Sequence, residues 1–338
     1  MEVTQQAFSQ SVFHLDHPTH AAEVRRFAVR RAEEIGMTKT ESGAIAIAVT
    51  EIAGNIIKHA EFGKMLFEHI RYEGKNGMRV LALDRGPGIA NVPAALQDGF
   101  STAGTNGNGL GAVRRLASYF DLYSVAGRGT CVLAEFWSGN SRPDGQSLEV
   151  GAISIPLRGE QVCGDGWAIR RNGSGAWFMV VDGLGHGSFA ADAAREAERV
   201  FSESGSESPA IILNDIHDAL KKTRGAAAAI AYVNQEKQTL CFAGLGNISA
   251  TLATAQSSRG IASHNGTLGH QMHRVQEFTL PWNQDSVLIM HSDGLSSRWD
   301  LSESRGIWSR HPSLIASVLY RDFAKERDDV TVLAARNS

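Results

Sequence analysis

Val180-Val181-Asp182-Gly183-Leu184-Gly185-His186-Gly187 decides how the second half of this chain reads. An apolar, β-branched run from Trp177 to Val181 ends in one carboxylate, and three glycines follow, spaced by Leu184 and His186. That pattern predicts a buried strand delivering an acid into a tight loop, with glycine where backbone must come close to something. Residues 188–201 carry Ala, Arg and Glu without a breaker and predict a helix. Alone, a strand followed by Asp-Gly is also an ordinary turn. Three further acidic sites share the context, however. Asp165 stands in Cys163-Gly164-Asp165-Gly166 just before a strand at 167–170, and Asp293 closes the apolar run 287–290. Asp328 and Asp329 open a strand at 330–333. Four carboxylate sites at strand ends, without a His/Cys cluster, suit hard cations with oxygen ligands rather than zinc. Two such cations lower the pKa of a shared water and neutralise a phosphoryl group for in-line attack.

These residues resemble the metal-dependent protein phosphatase 2C-like enzymes, in particular their bacterial sporulation-phosphatase branch. Gly-Asp, Asp-Gly-x-Gly-His-Gly, Ser-Asp-Gly and Asp-Asp-x-Thr-Val occur in order between Gly164 and Val332. The resemblance implies an α-β-β-α sandwich with Mn2+ or Mg2+ between its sheets, acting on phosphoserine or phosphothreonine proteins. By motif position, Asp182 bridges two metals, the Gly183 carbonyl ligates one, and Asp293 and Asp328 complete the second site. Asp165 takes a metal or water-holding role, and Asp182 and Asp293 count as catalytic. Asp329 fills a slot often held by Asn and is the weaker of its pair. His186 is left open between donating a proton to the leaving oxygen and binding neighbouring backbone. Its register differs from that of the eukaryotic phosphatase histidine.

The 338 residues suggest about two domains, and 43% hydrophobic with 20% charged residues is a globular composition. A net charge of -3 argues against nucleic acid or an acidic membrane as partner. Cys131, Cys163 and Cys241 are few, odd in number and far apart, which fits reduced thiols. Cys163 reads as a small buried hydrophobe rather than a reactive thiol. No signal peptide or membrane-length apolar run is visible, so a cytoplasmic location is expected.

In the first half, residues 8–15 predict an edge strand, and 18–35 and 40–60 two amphipathic helices. Ile45, Val49, Ile52 and Ile56 recur at helical spacing and face a sheet; Glu51 and Asn55 share another face. On that segment alone the acid–amide pair also reads as a solvated face. Residues 65–72 and 78–83 predict strands joined by a Gly74-Lys75-Asn76-Gly77 turn. Asp84-Arg85-Gly86-Pro87-Gly88 follows. A glycine-rich stretch through Gly107, Gly109 and Gly111 then opens into a helix at 112–120. Free N–H groups and a positive dipole end there suit polyphosphate, but neither a Walker nor a Rossmann context surrounds them.

Glu-x-x-x-Asn, Asp-x-Gly-x-Gly and the glycine-rich loop resemble the ATP site of gyrase, Hsp90-type chaperones and histidine kinases, the GHKL superfamily. The likeness is strongest to anti-sigma-factor and switch serine kinases, notably the stressosome-associated switch kinase. That resemblance implies a helix layer on a mixed, largely antiparallel sheet. It gives Asp84 the adenine amino group and Asn55 the Mg2+ on the phosphates. Gly86, Gly88, Gly107, Gly109 and Gly111 shape the nucleotide pocket, Thr130 supports the adenine end, and Glu51 is the base. Gly54 departs from the family's usual larger residue before Asn55.

The expected organisation is α+β in two domains: an ATP-binding domain at 1–137, a linker at 138–148, and a phosphatase domain at 149–338. The expected function is a fused switch, an ATP-dependent serine/threonine kinase plus a Mn2+/Mg2+-dependent phosphatase. Its implied partners are STAS-domain phosphoproteins, with a sigma factor or stressosome-like complex beyond them; a homodimer is left open. The rival reading keeps the phosphatase and makes the first domain a non-catalytic module that binds ATP or a sigma factor.

Overall fold

The computed structural model describes residues 10–60, 62–97, 109–143, 145, 147–173, 175–272, 275–325 and 327–338. The chain divides into two compact units, Phe8–Gly145 and Gln146–Ser338.

In the first unit the order is β1 (Ser11–Leu15), α1 (Pro18–Glu34), α2 (Lys39–His59), β2 (Gly63–Tyr72), β3 (Lys75–Asp84), α3 (Val92–Ala95), α4 (Gly109–Leu116), β4 (Tyr119–Val125) and β5 (Gly129–Trp137). The strands form one sheet ordered β1-β2-β3-β5-β4, with β1 at an edge as its weak alternation predicts. The sheet expected as mixed and largely antiparallel is antiparallel in every pairing among the described residues. Helix α2 starts where it does because of a capping box. Glu41 N donates to Thr38 Oγ1, and Thr38 N donates to Glu41 Oε2 at 2.7 Å. Its Ile45, Val49, Ile52 and Ile56 pack with Met65, Phe67, Val80 and Ala134 of the sheet. Each such buried side chain contributes roughly 1.5–3 kcal/mol.

Two local expectations are corrected. The β2–β3 hairpin turns at Glu73-Gly74, not over 74–77. Both residues have positive φ, 46° and 77°, the pattern of a two-residue turn that matches strand twist and lets both strands run on. The helix expected at 112–120 is α4, beginning at Gly109 and ending at Leu116. Tyr119 and Phe120 belong instead to β4, paired with Glu135 and Ala134.

The second unit contains β6 (Leu148–Ile155), β7 (Asp165–Asn172), β8 (Gly175–Gly183), α5 (Ser188–Glu203), α6 (Pro209–Ala219), β9 (Ala226–Asn234), β10 (Thr239–Leu245), β11 (Ser249–Ala253), β12 (Ser258–Ile261), β13 (Phe278–Pro281), β14 (Val287–His291), α7 (Pro312–Phe323) and β15 (Val330–Asn337). Helix α6 gives way to a 3-10 turn at Leu220–Lys222. Two five-stranded sheets result, ordered β13-β10-β9-β8-β7 and β12-β11-β14-β15-β6. Trp167, Phe178, Val180, Phe242, Leu288, Met290 and Leu333 fill the space between them. Alternate residues of β8 (Trp177, Met179, Val181) face outward instead, onto Ala193, Ala197, Phe201 and Ile216 of α5 and α6. Helix α7 covers β6 and β15 on the other side.

That alternation positions the acids. Asp182 continues the inward parity of Phe178 and Val180, Asp165 that of Trp167 and Ile169, and Asp329 that of Leu333. Register pairs Asp165 directly with Asp182. The strand ends therefore open together at one mouth of the sandwich. Among the described residues no helix is long and apolar enough to cross a membrane.

Candidate functional site

At that mouth Asn247, in the turn between β10 and β11, donates from Nδ2 to Asp182 Oδ2 at 3.0 Å and to Asp293 Oδ2 at 2.9 Å. One neutral amide thus spans two carboxylates. Asp165 Oδ2 accepts a 2.6 Å hydrogen bond from Ser292 Oγ, and Ser292 Oγ accepts from Thr331 N. Burial, and then the charge of Asp293, pushes the Asp182 carboxyl up to about 7. Burial, and then Asp182, holds Asp165 well above its ordinary value. Asp328 is raised by burial and then by Asp293. The structure thus draws Asp165, Asp182, Asp293 and Asp328 into one electrostatic neighbourhood.

The donor set fits a hard divalent cation. Its members are carboxylates that repel one another, and among the causes acting on Asp165 and Asp182 only neutral donors, Ser292 and Asn247, counter them. Among the described residues, no three His, Cys, Asp or Glu side chains already close on one point as a ligand set. The acids meet in pairs, with Asn247 between Asp182 and Asp293. Gly183 is required for a steric reason: a Cβ there would lie 2.2 Å from the Ala190 carbonyl oxygen, so α5 could not approach β8.

Asp329 serves differently from its neighbour. Its Oδ1 accepts from Leu157 N at 2.7 Å and its Oδ2 from Gly164 N at 3.0 Å, which ties down the segment leading into Asp165. The sequence pattern marked it only as the weaker of a pair. His186 Nδ1 lies 2.7 Å from Glu160 Oε1, so its partner is a carboxylate and not backbone. Burial, then Asp165 and Asp329, pushes the Cys163 thiol up, which matches an unreactive side chain. Asn247 was not legible as a site residue, and Ser292 entered only as part of the Ser-Asp-Gly motif. Gly246-Asn247 reads as a plain turn, and only its place at the end of an apolar strand hints otherwise.

In the first unit, Glu51 and Asn55 of α2 stand against the first residue of α4. A Cβ on Gly109 would lie 3.4 Å from Glu51 Oε2 and 3.5 Å from Asn55 Nδ2. Asp84 Oδ1 accepts from Gly86 N at 2.8 Å and from Thr130 N at 3.2 Å. Thr130 Oγ1 lies 2.9 Å from Ser124 Oγ, which also accepts from Ile89 N. A Cβ on Gly88 would lie 2.1 Å from Val125 O. Asp84, Gly86, Gly88 and Thr130 thus meet at one strand end, and Glu51, Asn55 and Gly109 at another point. Gly111 is buried inside α4. Gly107 lies outside the described residues. A Cβ on Gly54 would meet open space.

Known proteins share both halves. The histidine kinase-like ATPase domain family matches residues 16–136, and the stage II sporulation protein E (SpoIIE) family matches residues 172–338. The chain is 41% identical over 106 residues to serine/threonine-protein kinase RsbT of Bacillus subtilis (strain 168), covering 31% of this chain and 80% of that protein. It is 27% identical over 157 residues to phosphoserine phosphatase RsbX of the same organism, covering 45% of this chain and 77% of that one. A solved chain described as belonging to the bacterial stressosome, a modular system adapted to control secondary messenger signaling, matches with a TM-score of 0.54 and 26% identity. It covers 56% of this chain and 100% of its own. RsbX in complex with magnesium matches with a TM-score of 0.51 at 22% identity, over 58% of this chain and 98% of that one, a likeness of fold.

The molecule is therefore a kinase-like ATPase domain joined to a phosphatase 2C-like domain. Its N-terminal unit belongs to the histidine kinase-like ATPase family, among the relatives of RsbT, and its C-terminal unit carries the SpoIIE-type phosphatase domain.

Proposed function

We propose that this chain is a bifunctional partner-switching regulator. Its C-terminal unit removes phosphate from phosphoserine or phosphothreonine proteins in a Mn2+- or Mg2+-dependent reaction, and its N-terminal unit phosphorylates the same class of protein with ATP. The observation that carries the reading is the electrostatic neighbourhood shared by Asp165, Asp182, Asp293 and Asp328, in which Asp165 and Asp182 are opposed only by neutral donors. Asp182, Asp293, Asp328 and the Gly183 carbonyl would hold the metals, with Asp165 holding a metal or a water. Cations bound there activate a water and neutralise the phosphoryl group. The chain's own contribution is to keep the acids at strand ends and to fix Asp165 through Ser292, with Asp329 anchoring the segment before it.

In the N-terminal unit, Asn55 would hold Mg2+ on the ATP phosphates, Asp84 and Thr130 the adenine end, and Glu51 would take the proton from the attacking hydroxyl. The proximity of Glu51 and Asn55 to the end of the glycine-rich stretch supports this assignment. The likeness to RsbT and RsbX supports STAS-domain proteins as substrates, within a stressosome-like or sigma-factor circuit. Running together, the two reactions would only hydrolyse ATP, so a partner or signal selects between them.

The test incubates the full chain, Mn2+ and labelled ATP with STAS-domain proteins. Asp182→Asn should label the STAS protein and fail to clear it. Glu51→Gln should bind ATP and label nothing. Undiminished labelling by Glu51→Gln refutes the kinase assignment and leaves a nucleotide-binding module; undiminished clearance by Asp182→Asn refutes the phosphatase assignment.

A further inference from the structure

We propose that Phe189, Leu184 and Arg224 form a docking patch at the rim of the acidic centre. Its occupant is the stretch of a phosphoprotein that carries an apolar side chain beside the phosphorylated residue. The inference rests on the phosphatase reading above and adds how the substrate is recognised.

Phe189 is 61% exposed and Leu184 42%, large apolar side chains left in water on the loop and helix start directly after Asp182-Gly183. Large apolar side chains exposed side by side in sequence with a reactive centre mark an interaction site. Arg224 adjoins Phe189 and the backbone beside Leu184. The Arg224 guanidinium carbon stands 4.7 Å from the centre of the Phe189 ring, and its Nη1 would lie 3.2 Å from a Cβ on Gly185. Leu184 N donates to Gly225 O at 3.0 Å. The backbone beneath Arg224 is held in place: His270 Nε2 lies 2.9 Å from the Arg224 carbonyl oxygen, and Gly225 N donates to Thr223 Oγ1 at 3.0 Å. Among the described residues, the Arg224 side chain is exposed and forms no ion pair with a carboxylate.

Charge decides the occupant. With cations on its acids the mouth would take a phosphoryl anion, and an arginine at its edge offers a planar, bidentate donor to the phosphoryl oxygens left outside. Stacking on Phe189 holds that fork flat and lowers the entropy lost on binding. The ring's other surface, together with Leu184, offers apolar area to the neighbouring side chain of the substrate. The patch therefore reads two adjacent features, a phosphoryl dianion and an apolar residue.

The experiment compares wild type, Phe189→Ser, Phe189→Leu, Arg224→Ala and Arg224→Lys as full chains with Mn2+. The probes are a phosphoserine peptide with Leu and Val flanks, the same peptide with Ser and Gly flanks, and p-nitrophenyl phosphate. Peptide binding is read by fluorescence anisotropy and turnover by phosphate release. Phe189→Ser should lower the kcat/KM ratio of apolar-flanked peptide to p-nitrophenyl phosphate about ten-fold through KM, the scale of one lost apolar contact. Phe189→Leu should recover most of it. Arg224→Ala should raise KM for all three probes, and Arg224→Lys should restore part. Equal preference of wild type for the two peptides, or a Phe189→Ser variant with an unchanged ratio, overturns the patch. An inactive wild type on every probe refutes the phosphatase reading; peptide anisotropy still reports on the patch, and equal affinity of wild type and Phe189→Ser for the apolar-flanked peptide would then overturn it.

Discussion

Replacing Glu198 with Gln should make the C-terminal unit more stable at neutral pH, by an amount that grows with pH. Glu198 projects from α5 and accepts a hydrogen bond from Trp167 N at 3.1 Å, on the open edge of β7. Burial pushes its carboxyl up to about 8, against a backbone donor that lowers it. The unfolded chain releases this proton near 4.5, whereas the folded chain keeps it until about pH 8. Between those values the folded state holds the extra proton, so stability falls as pH rises, by about 1.4 kcal/mol per pH unit from this group. At pH 7 the accumulated loss is about 3 kcal/mol, and above pH 8 it levels off. Gln keeps an oxygen for Trp167 N and never ionises; its extra amide donors add a pH-independent offset. Urea unfolding from pH 5 to 9, followed by tryptophan fluorescence, isolates the effect, since five of the six tryptophans lie in the C-terminal unit. The stability difference should be below about 1 kcal/mol near pH 5 and approach its plateau by pH 8. Parallel pH curves for the two proteins would show that Glu198 does not titrate as argued.

Asn247→Ala removes the one amide that separates Asp182 from Asp293, leaving two facing carboxylates without their shared donor. The metal-free protein should lose about 1–3 kcal/mol, and Mn2+ should raise its Tm by more than it raises the wild type's; equal increments in differential scanning fluorimetry would refute this. Gly183→Ala forces a Cβ to 2.2 Å from the Ala190 carbonyl. The cost should be about 3 kcal/mol or more in urea unfolding, because strand and helix must part to admit it.

The acids of the sandwich were legible because each sits at one end of a dense apolar run, Asp182 and Asp293 after it and Asp165, Asp328 and Asp329 before it. The outer strands β12 and β13 were not legible. Each has four residues, mostly exposed, and Ser258-Arg259-Gly260-Ile261 carries no alternation to betray a strand. The turn at Glu73-Gly74 was misplaced because Gly77 drew attention, although Gly77 is a strand residue lying against Trp137. Asp329 looked like a spare ligand because its two amide partners, Leu157 and Gly164, are more than 160 residues distant in the chain. Long-range hydrogen bonds of that kind leave no local pattern. In the N-terminal unit the helix face with Glu51 and Asn55 was plain from spacing, whereas the end of α4 was not, since Ala117, Ser118 and Tyr119 bear no stop signal.

Having both units on one polypeptide removes a variable that separate proteins must manage. Two opposing activities made as independent products drift in ratio with every change in synthesis or turnover. Under the proposed function each folded copy would bring one of each, so dosage would cancel. The steady level of modification on a shared target would then depend on how fast each half works, and noise in expression would alter only how quickly that level is reached.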